Sequence, residues 1–459
     1  MTDDARPIDQ HAPKNAEEPP NEQAVSARKV LGIRKVWILP LVLPAIMIAL
    51  VTTIYIGSVI DPTAHLHGLP VLIVNEDAGA ASPTGHIELG TSVVRALTDA
   101  QAVSSRLDLR VVSLGSAQAD MDQGGAYATL VIPSTFSAAA LLDTGYPAPE
   151  GTPPTAPIQL LENSRLGSLG VNLAAGVLTP ALEQVSKQIG TQLIGKSTST
   201  VRSNPVLAER VGDPIILRPV SYRALPSHSA LGLSAFYVSL VSILAGFLAA
   251  TVINSSIDGA LGYATSDLGP RWKIRIPRRI SRRQTLLTKW SVALVAAPLL
   301  TAIVVALAVG AFGMYAPNFG ILWLLLTFAT VMVSFGTLAL LAAFGNMGQL
   351  LAMVIIIYLS LASSGGTIPI QALPGFFKGV GQVEPLRQLL GGVRDVLYFG
   401  DQWHAGLAHA VLVLGLELAF WVVLGLLFTS WYDRRKLYRV SPETITTVEQ
   451  AVSRAHGRQ

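Results

Sequence analysis

Residues 69–80 read LPVLIVNEDAGA. The centre of this run, Val71 to Val74, is apolar and rich in β-branched side chains, and Asn75, Glu76, Asp77 and Gly79 then stop it. That pattern predicts a buried strand running into a polar turn. Alone, it could open any α/β domain. The residues before it narrow the choice, because 36–60 is a stretch of about 25 residues without a charge, long enough to cross a bilayer. The strand therefore follows a membrane span.

The composition agrees. Hydrophobic residues make up 51% of the 459 and charged residues 14%, with a mean hydropathy of +0.49, which is far from an average soluble chain. A net charge of +4 gives no bulk drive toward nucleic acid, so the placement of the basic residues matters more than their number. The chain has no cysteine, which excludes disulfides, thiol catalysis and cysteine metal sites.

Working outward, residues 1–35 are polar and proline-bearing in their first 27 positions, too poor in apolar side chains to build a core. A disordered cytoplasmic tail is expected, with Arg28, Lys29, Arg34 and Lys35 holding it inside. A cleaved signal peptide is the competing reading. The apolar run is about twice the usual length for one, and no A-x-A-like site follows it.

Five further apolar windows fall near 230–253, 291–313, 320–343, 347–364 and 408–431. With the first span at 36–60, the expected fold class is a polytopic α-helical membrane protein. It has six transmembrane helices and a mixed α/β extracytoplasmic domain, residues 61–229, inserted between helices 1 and 2. The membrane domain proper is 230–431, and both termini, including the tail 432–459, are placed in the cytoplasm. The basic loop 254–289 fits that orientation, since it carries Arg271, Lys273, Arg275, Arg278, Arg279, Arg282 and Arg283. Apart from Trp272 it has no interleaved aromatics, so contact with anionic lipid or a cytoplasmic partner explains it better than nucleic acid does.

Within 61–229, strands are expected at Val71 to Val74, Leu109 to Val112, Ala128 to Ile132, Ile158 to Leu161 and Ile215 to Pro219. Helices are expected at His86 to Leu97, Ser116 to Asp122 and Ser134 to Leu142. Leu166, Leu169, Leu173, Val177, Leu182, Val185, Ile189 and Leu193 recur mostly every four residues, which predicts one long amphipathic helix kinked at Pro180. A short cytoplasmic helix is expected from Ser441, with Ile445, Val448 and Val452 on one face.

The segment 364–407 is broken by Gly365, Gly366, Pro369 and Pro374, while Arg387 and Arg394, seven residues apart, share one side of a helical stretch. It reads as short helices lying at the outer membrane surface or dipping into it, where protein or water covers the broken backbone. In the last span, Glu417 sits in LVLGLELAFWVV. Its cost of about 3 kcal/mol is outweighed by the apolar residues around it. Two roles stay open for it: a place on a substrate or proton path, or a protonated or hydrogen-bonded carboxyl that joins helices.

Two other motifs carry less. Residues 190–197, GTQLIGKS, fit the P-loop pattern, but they end a helical repeat, with Gly195 as the expected cap, where the motif needs a strand before and a helix after. His65 and His67 alternate as on one strand face, a possible half metal site, though exposed histidines explain them as well. Neither metal nor cofactor is expected, and no spacing of catalytic groups makes the chain an enzyme.

The stretches Leu69 to Gly79, Gly125 to Phe136 (GAYATLVIPSTF), Ser364 to Phe377 (SGGTIPIQALPGFF) and, more loosely, Pro385 to Val396 carry a resemblance. The chain resembles the YhgE/Pip (phage infection protein) family within the type-2 ABC exporter permeases, whose layout the nitrosoguanidine-resistance membrane proteins share. Its inserted domain is shorter than in long members and lacks their coiled-coil repeats. The resemblance implies a homodimeric permease in the cytoplasmic membrane that works with a separate ATP-binding subunit. That subunit would dock on the inner loop from Asp258 to Arg283, and the outer re-entrant segment would gate the exit. The expected function is export of a hydrophobic or amphipathic compound, a drug or an envelope lipid, by alternating access at the dimer interface. The alternative is a non-transporting envelope scaffold, receptor or secretion-system accessory. In either case Glu76 and Asp77 are expected to serve surface or partner contacts.

Overall fold

The computed structural model describes the backbone of residues 34–82, 85–145, 151–153, 155–264, 266–268, 271–273, 277–437, 439–440 and 445–446. Most of the expected N-terminal tail and of the expected helix from Ser441 lies outside them. The chain begins with α1 (Arg34–Val59), an almost uniformly apolar helix that starts two residues earlier than its charge-free run.

Residues 61–68 form a turn, so His65 and His67 do not lie on a strand as expected. The strands β1 (Leu69–Asn75), β2 (Ala80–Ser82) and β3 (Gly85–Ile87) come next, then α2 (Leu89–Asp99), β4 (Leu107–Val111), α3 (Leu114–Asp122), β5 (Ala128–Ile132), α4 (Phe136–Asp143), β6 (Ile158–Glu162), α5 (Ser168–Lys196) and β7 (Leu217–Ser221). The helix expected from His86 starts at Leu89 because Gly85–Ile87 pairs with β2 in a hairpin. Five strands form one sheet in the order β4-β1-β5-β6-β7, parallel except for the β5–β6 pair. β1 is apolar on both faces because both are covered. Leu69, Val71 and Ile73 join a core built with α2, α4 and α5, and Leu72 and Val74 pack with Ala117 and Met121 of α3.

The long helix α5 runs unbroken for 29 residues with Pro180 inside it, and Leu173, Val177, Leu182, Val185, Ile189 and Leu193 line its buried face. Gly195 is within the helix and Ser197 occupies the C-cap, so the P-loop-like GTQLIGKS is helical almost throughout and offers no phosphate-binding turn.

Four positive φ angles crowd the approach to the second apolar helix: His228 (58°), Ala230 (50°), Leu231 (56°) and Gly232 (87°). Then come α6 (Ser234–Ala260), α7 (Arg282–Val305, prolonged by a π-helical turn to Ala311), α8 (Phe319–Phe344), α9 (Asn346–Ser363), α10 (Pro385–Arg394) and α11 (Ala408–Arg434). Among the described residues, six helices are long and apolar enough to cross a membrane: α1, α6, α7, α8, α9 and α11. Helix α8 is the most enclosed, with α6, α7 and α11 packed on it. Small and hydroxyl side chains permit this closeness. Thr330 Oγ1 donates to the Ser242 carbonyl (3.2 Å) and Ser334 Oγ to the Gly246 carbonyl (3.0 Å), and a Cβ at Gly246 would stand 2.9 Å from Val333.

Candidate functional site

The segment 364–407 joins the sheet domain to the bundle. Its first half belongs to the sheet domain, whose core takes in Ala372 and Ile368, and its second half to the bundle, whose core takes in Leu386, Leu389, Val393 and Leu397. Hydrogen bonds tie the junction: His67 N donates to the Gln371 carbonyl (3.0 Å), and the Arg165 side chain donates through Nη1 to the Tyr398 carbonyl (2.9 Å). Tyr398 Oη in turn lies 2.7 Å from Ser234 Oγ at the start of α6.

The residues expected to form an outer gate all fall in this segment. Gly365 has φ +68°, which a side chain would strain, and Gly366 lies so near the Phe236 ring that a Cβ would stand 2.1 Å from it. Pro369 packs at Gly170 beside Tyr127, and Pro374 precedes a short helix, Gly375–Val380. Arg387 Nη1 donates to the Gly381 carbonyl (3.1 Å), while Arg394 Nη2 sits 3.4 Å from the Gly366 carbonyl. Both guanidinium groups act on Tyr127 of the sheet domain. Burial pushes the Tyr127 phenol above its ordinary range, and the two cations pull the other way.

Three neighbours were not singled out from sequence. Asp395, fully buried, accepts from Gln402 N and Leu407 N, both at 3.0 Å, and so locks the turn between α10 and α11. Glu384 caps α10, accepting from Leu386 N (2.9 Å) and Arg387 N (2.8 Å). The Glu-Pro pair at 384–385 is a helix-start signal that could have been read. Tyr398 carried no sequence signal at all. Glu417 lies on the face of α11 that also carries Leu414 and Trp421, which pack into the bundle core, and its Oε1 is enclosed without a hydrogen-bond partner.

At the opposite end of the bundle, Asp258 Oδ1 is 2.7 Å from both Lys289 Nζ and Arg439 Nη1, and Lys289 Nζ is 2.7 Å from Asn254 Oδ1. Lys289 and Asp258 could have been read as a pair, because each sits in an apolar helix where charge needs a partner. Asp433 accepts from Arg282 N (2.9 Å) and Arg283 N (3.1 Å), capping α7. Of the basic residues expected to meet a partner or lipid, Arg282 is engaged within the chain: Nε donates to the Leu437 carbonyl (2.7 Å), and the guanidinium stacks 4.7 Å from the Tyr432 ring. Arg279 Nη2 reaches Thr446 Oγ1 (3.0 Å), and Arg278 accepts at its carbonyl from Tyr263. Arg283 is exposed, while the side chains of Arg271 and Lys273, and all of Arg275, lie outside the described residues.

Asp77, expected at a surface, faces inward. Its Oδ1 accepts from Ser137 N (2.9 Å), and its Oδ2 from Gly90 N (2.9 Å) and Ser137 Oγ. No group of three or more metal-ligating side chains occurs among the described residues, and His67 Nδ1 meets only the His65 carbonyl (3.0 Å).

This is a multi-pass α-helical membrane protein whose sheet domain is bonded to a broken segment set into the bundle. The sequence profile of DUF3533, a protein family of unknown function, matches residues 40–427, and the chain belongs to that family. No curated protein matches it.

Proposed function

We propose that the chain is an export permease of the cytoplasmic membrane for a hydrophobic or amphipathic compound, in which 364–407 gates the exit. The observation that carries this reading is the double anchorage of that segment, with one half in the core of the sheet domain and the other in the core of the bundle. A broken backbone at membrane depth is tolerated where protein covers it or it lines a path. In this reading the sheet domain lies outside, both termini lie inside, and the domain moves the gate it is bonded to.

An apolar groove of about 530 Å³ between α6 and α7, lined by Tyr237, Val241, Ile303, Leu307 and Phe312, is of the kind that receives an acyl chain or a lipophilic drug, which supports the substrate class. The layout resembles the YhgE/Pip permeases of the type-2 ABC exporters. By that analogy two copies pair and a separate ATP-binding subunit docks beside Arg278, Arg279 and Arg283.

The test uses the absence of native cysteine. His67 N and the Gln371 carbonyl are hydrogen-bonded, which brings the two Cα atoms within reach of a disulfide. His67→Cys with Gln371→Cys, oxidised, is expected to reduce efflux of a lipophilic dye or a fluorescent phospholipid from loaded cells by about tenfold or more, and a reductant is expected to restore it. Efflux at the wild-type rate with the cross-link complete would refute the gate. Absence of any efflux difference between cells with and without the wild-type chain, for both probes, would favour a scaffold instead.

A further inference from the structure

At the end of the bundle that holds Asp258 and Lys289, a cavity of about 350 Å³ lies between three parts of the chain. Tyr263, just beyond α6, forms one wall. Arg279, Arg282 and Gln284, around the start of α7, form the second, and Asp433 with Arg439, from the end of α11 and the residues after it, form the third. Bonds across the walls fix their spacing. Asp433 accepts from Arg282 N (2.9 Å) and Arg283 N (3.1 Å), Arg282 Nε donates to the Leu437 carbonyl (2.7 Å), and Arg439 Nη1 meets Asp258 Oδ1 at 2.7 Å. Tyr263 N donates to the Asp258 carbonyl (2.8 Å), and the Tyr263 ring lies 5.5 Å from the Arg439 guanidinium.

Three guanidinium groups therefore share one cavity, and the acids beside them do not balance the charge. Among the described side chains the carboxylates here are Asp258 and Asp433. Asp258 Oδ1 is divided between Lys289 and Arg439, and both oxygens of Asp433 are spent on backbone N–H groups. Arg279, Arg282, Arg439 and Lys289 against these two acids leave an excess of two positive charges. Donors are in excess as well. A guanidinium carries five N–H groups in a fork that matches phosphate. Arg282 spends one on Leu437, Arg439 one on Asp258, and Arg279 one on Thr446. Gln284 turns its Oε1 to Ser281 N (3.4 Å), which leaves its NH₂ group as a further donor. A partly enclosed space with surplus cations and surplus donors selects an anion that accepts several hydrogen bonds at once.

The depth of the cavity says where that anion comes from. It lies where two helices long enough to cross a membrane end, α7 at Arg282 and α11 at Arg434, beside the aromatic pair Trp431 and Tyr432. Its other walls are apolar, from Ile280, Val440 and Ile445. Along α7, the face that carries Gln284 continues as Leu287, Val295 and Leu299, all exposed. A phosphate held in the cavity thus has an apolar track leading away from it along a spanning helix. We propose that this cavity binds the phosphate headgroup of an anionic phospholipid, with Arg279, Arg282 and Arg439 as its ligands and an acyl chain on the exposed face of α7. The lipid then ties the start of α7 to the residues after α11 through a shared anion. This assignment does not depend on what the chain transports.

The test is native mass spectrometry of the full-length protein in detergent micelles, titrated with dioleoyl phosphatidylglycerol or with dioleoyl phosphatidylcholine, which has the same chains and no net charge. Phosphatidylglycerol is expected to bind about fivefold tighter or more, and Arg279→Gln and Arg439→Gln are each expected to weaken it by about fivefold. Arg283→Gln removes the same charge from the same helix end, but Arg283 is exposed and lies outside the cavity, so it should change little. Equal affinity for the two lipids, or equal losses in Arg279→Gln and Arg283→Gln, overturns the proposal, since either describes a diffuse attraction to basic residues. Inorganic phosphate at about ten times the lipid concentration is expected to displace little of it. Full displacement would give the cavity to a soluble phosphate compound and overturn the lipid assignment. If Arg439→Gln does not fold, the wild type decides through phenylglyoxal modification of arginine, read by peptide mass spectrometry. Phosphatidylglycerol should protect Arg279 and Arg439 and leave Arg283 reactive, and protection of all three alike, or of none, is equally fatal. Failure here leaves the permease reading standing, and failure of the disulfide test leaves the lipid site standing.

Discussion

Asp77→Ala is expected to destabilise the sheet domain strongly and to loosen the first turns of α2 and α4. The carboxylate holds the first residues of α2 and α4 to the end of β1 through Gly90 N, Ser137 N and Ser137 Oγ. Hydrogen bonds to a charged group are worth about 1.5–3 kcal/mol each, and two helix N-termini add to the attraction. The loss should reach about 3–5 kcal/mol, against a typical domain stability of about 5–15 kcal/mol. The carboxylate sits close against the start of α2, since a Cβ at Gly90 would stand 2.5 Å from both Asn75 Oδ1 and Asp77 Cβ. Asp77→Asn keeps one acceptor oxygen and should cost about half as much. Hydrogen exchange at Gly90 and Ser137, with limited proteolysis of intact membranes, reads both. Unchanged protection of those two amides in Asp77→Ala would show that the carboxylate holds nothing.

Asp258→Ala is expected to be as severe, at the other end of the bundle. It leaves Lys289, whose side chain is 3% exposed, with only the neutral Asn254 oxygen as partner. Removing one member of a buried ion pair costs about 3–5 kcal/mol, largely because the survivor remains buried and charged. Asp258→Ala with Lys289→Met removes that survivor and should recover most of the loss. Arg439 loses its carboxylate in both variants and keeps only the Tyr263 ring, 5.5 Å away, so cleavage by trypsin at Arg439 should become faster even where stability returns. Thermal unfolding in detergent separates the two effects. Equal melting temperatures for the single and double variants would mean that the buried lysine is not the cause.

The legible parts of this fold were those set by hydrophobic period. The strands at 71–74 and 128–132 and the six apolar helices follow from runs whose burial the sequence states directly. What escaped was pairing between distant residues. Asp77 looked like a solvent turn because its partners, Gly90 and Ser137, lie 13 and 60 residues away and donate mainly through backbone N–H groups, which leave no mark on side-chain chemistry. Glu417 was visible as an isolated charge, while Glu384 was hidden in a loop-like stretch, where it caps α10 through the backbone N–H groups of Leu386 and Arg387. Arg282 read as part of a solvent-facing basic run because its partners, Tyr432 and Leu437, come from the far end of the chain.

The corner before α6 carries one more consequence. His228, Ala230 and Leu231 hold left-handed backbone angles that side chains disfavour by about 1 kcal/mol each or more. Residues keep such angles only where the surrounding fold holds them, so the corner fixes the direction in which the chain enters α6. Replacing the three residues with glycine would relieve the strain and loosen that direction, trading a fixed corner for local stability.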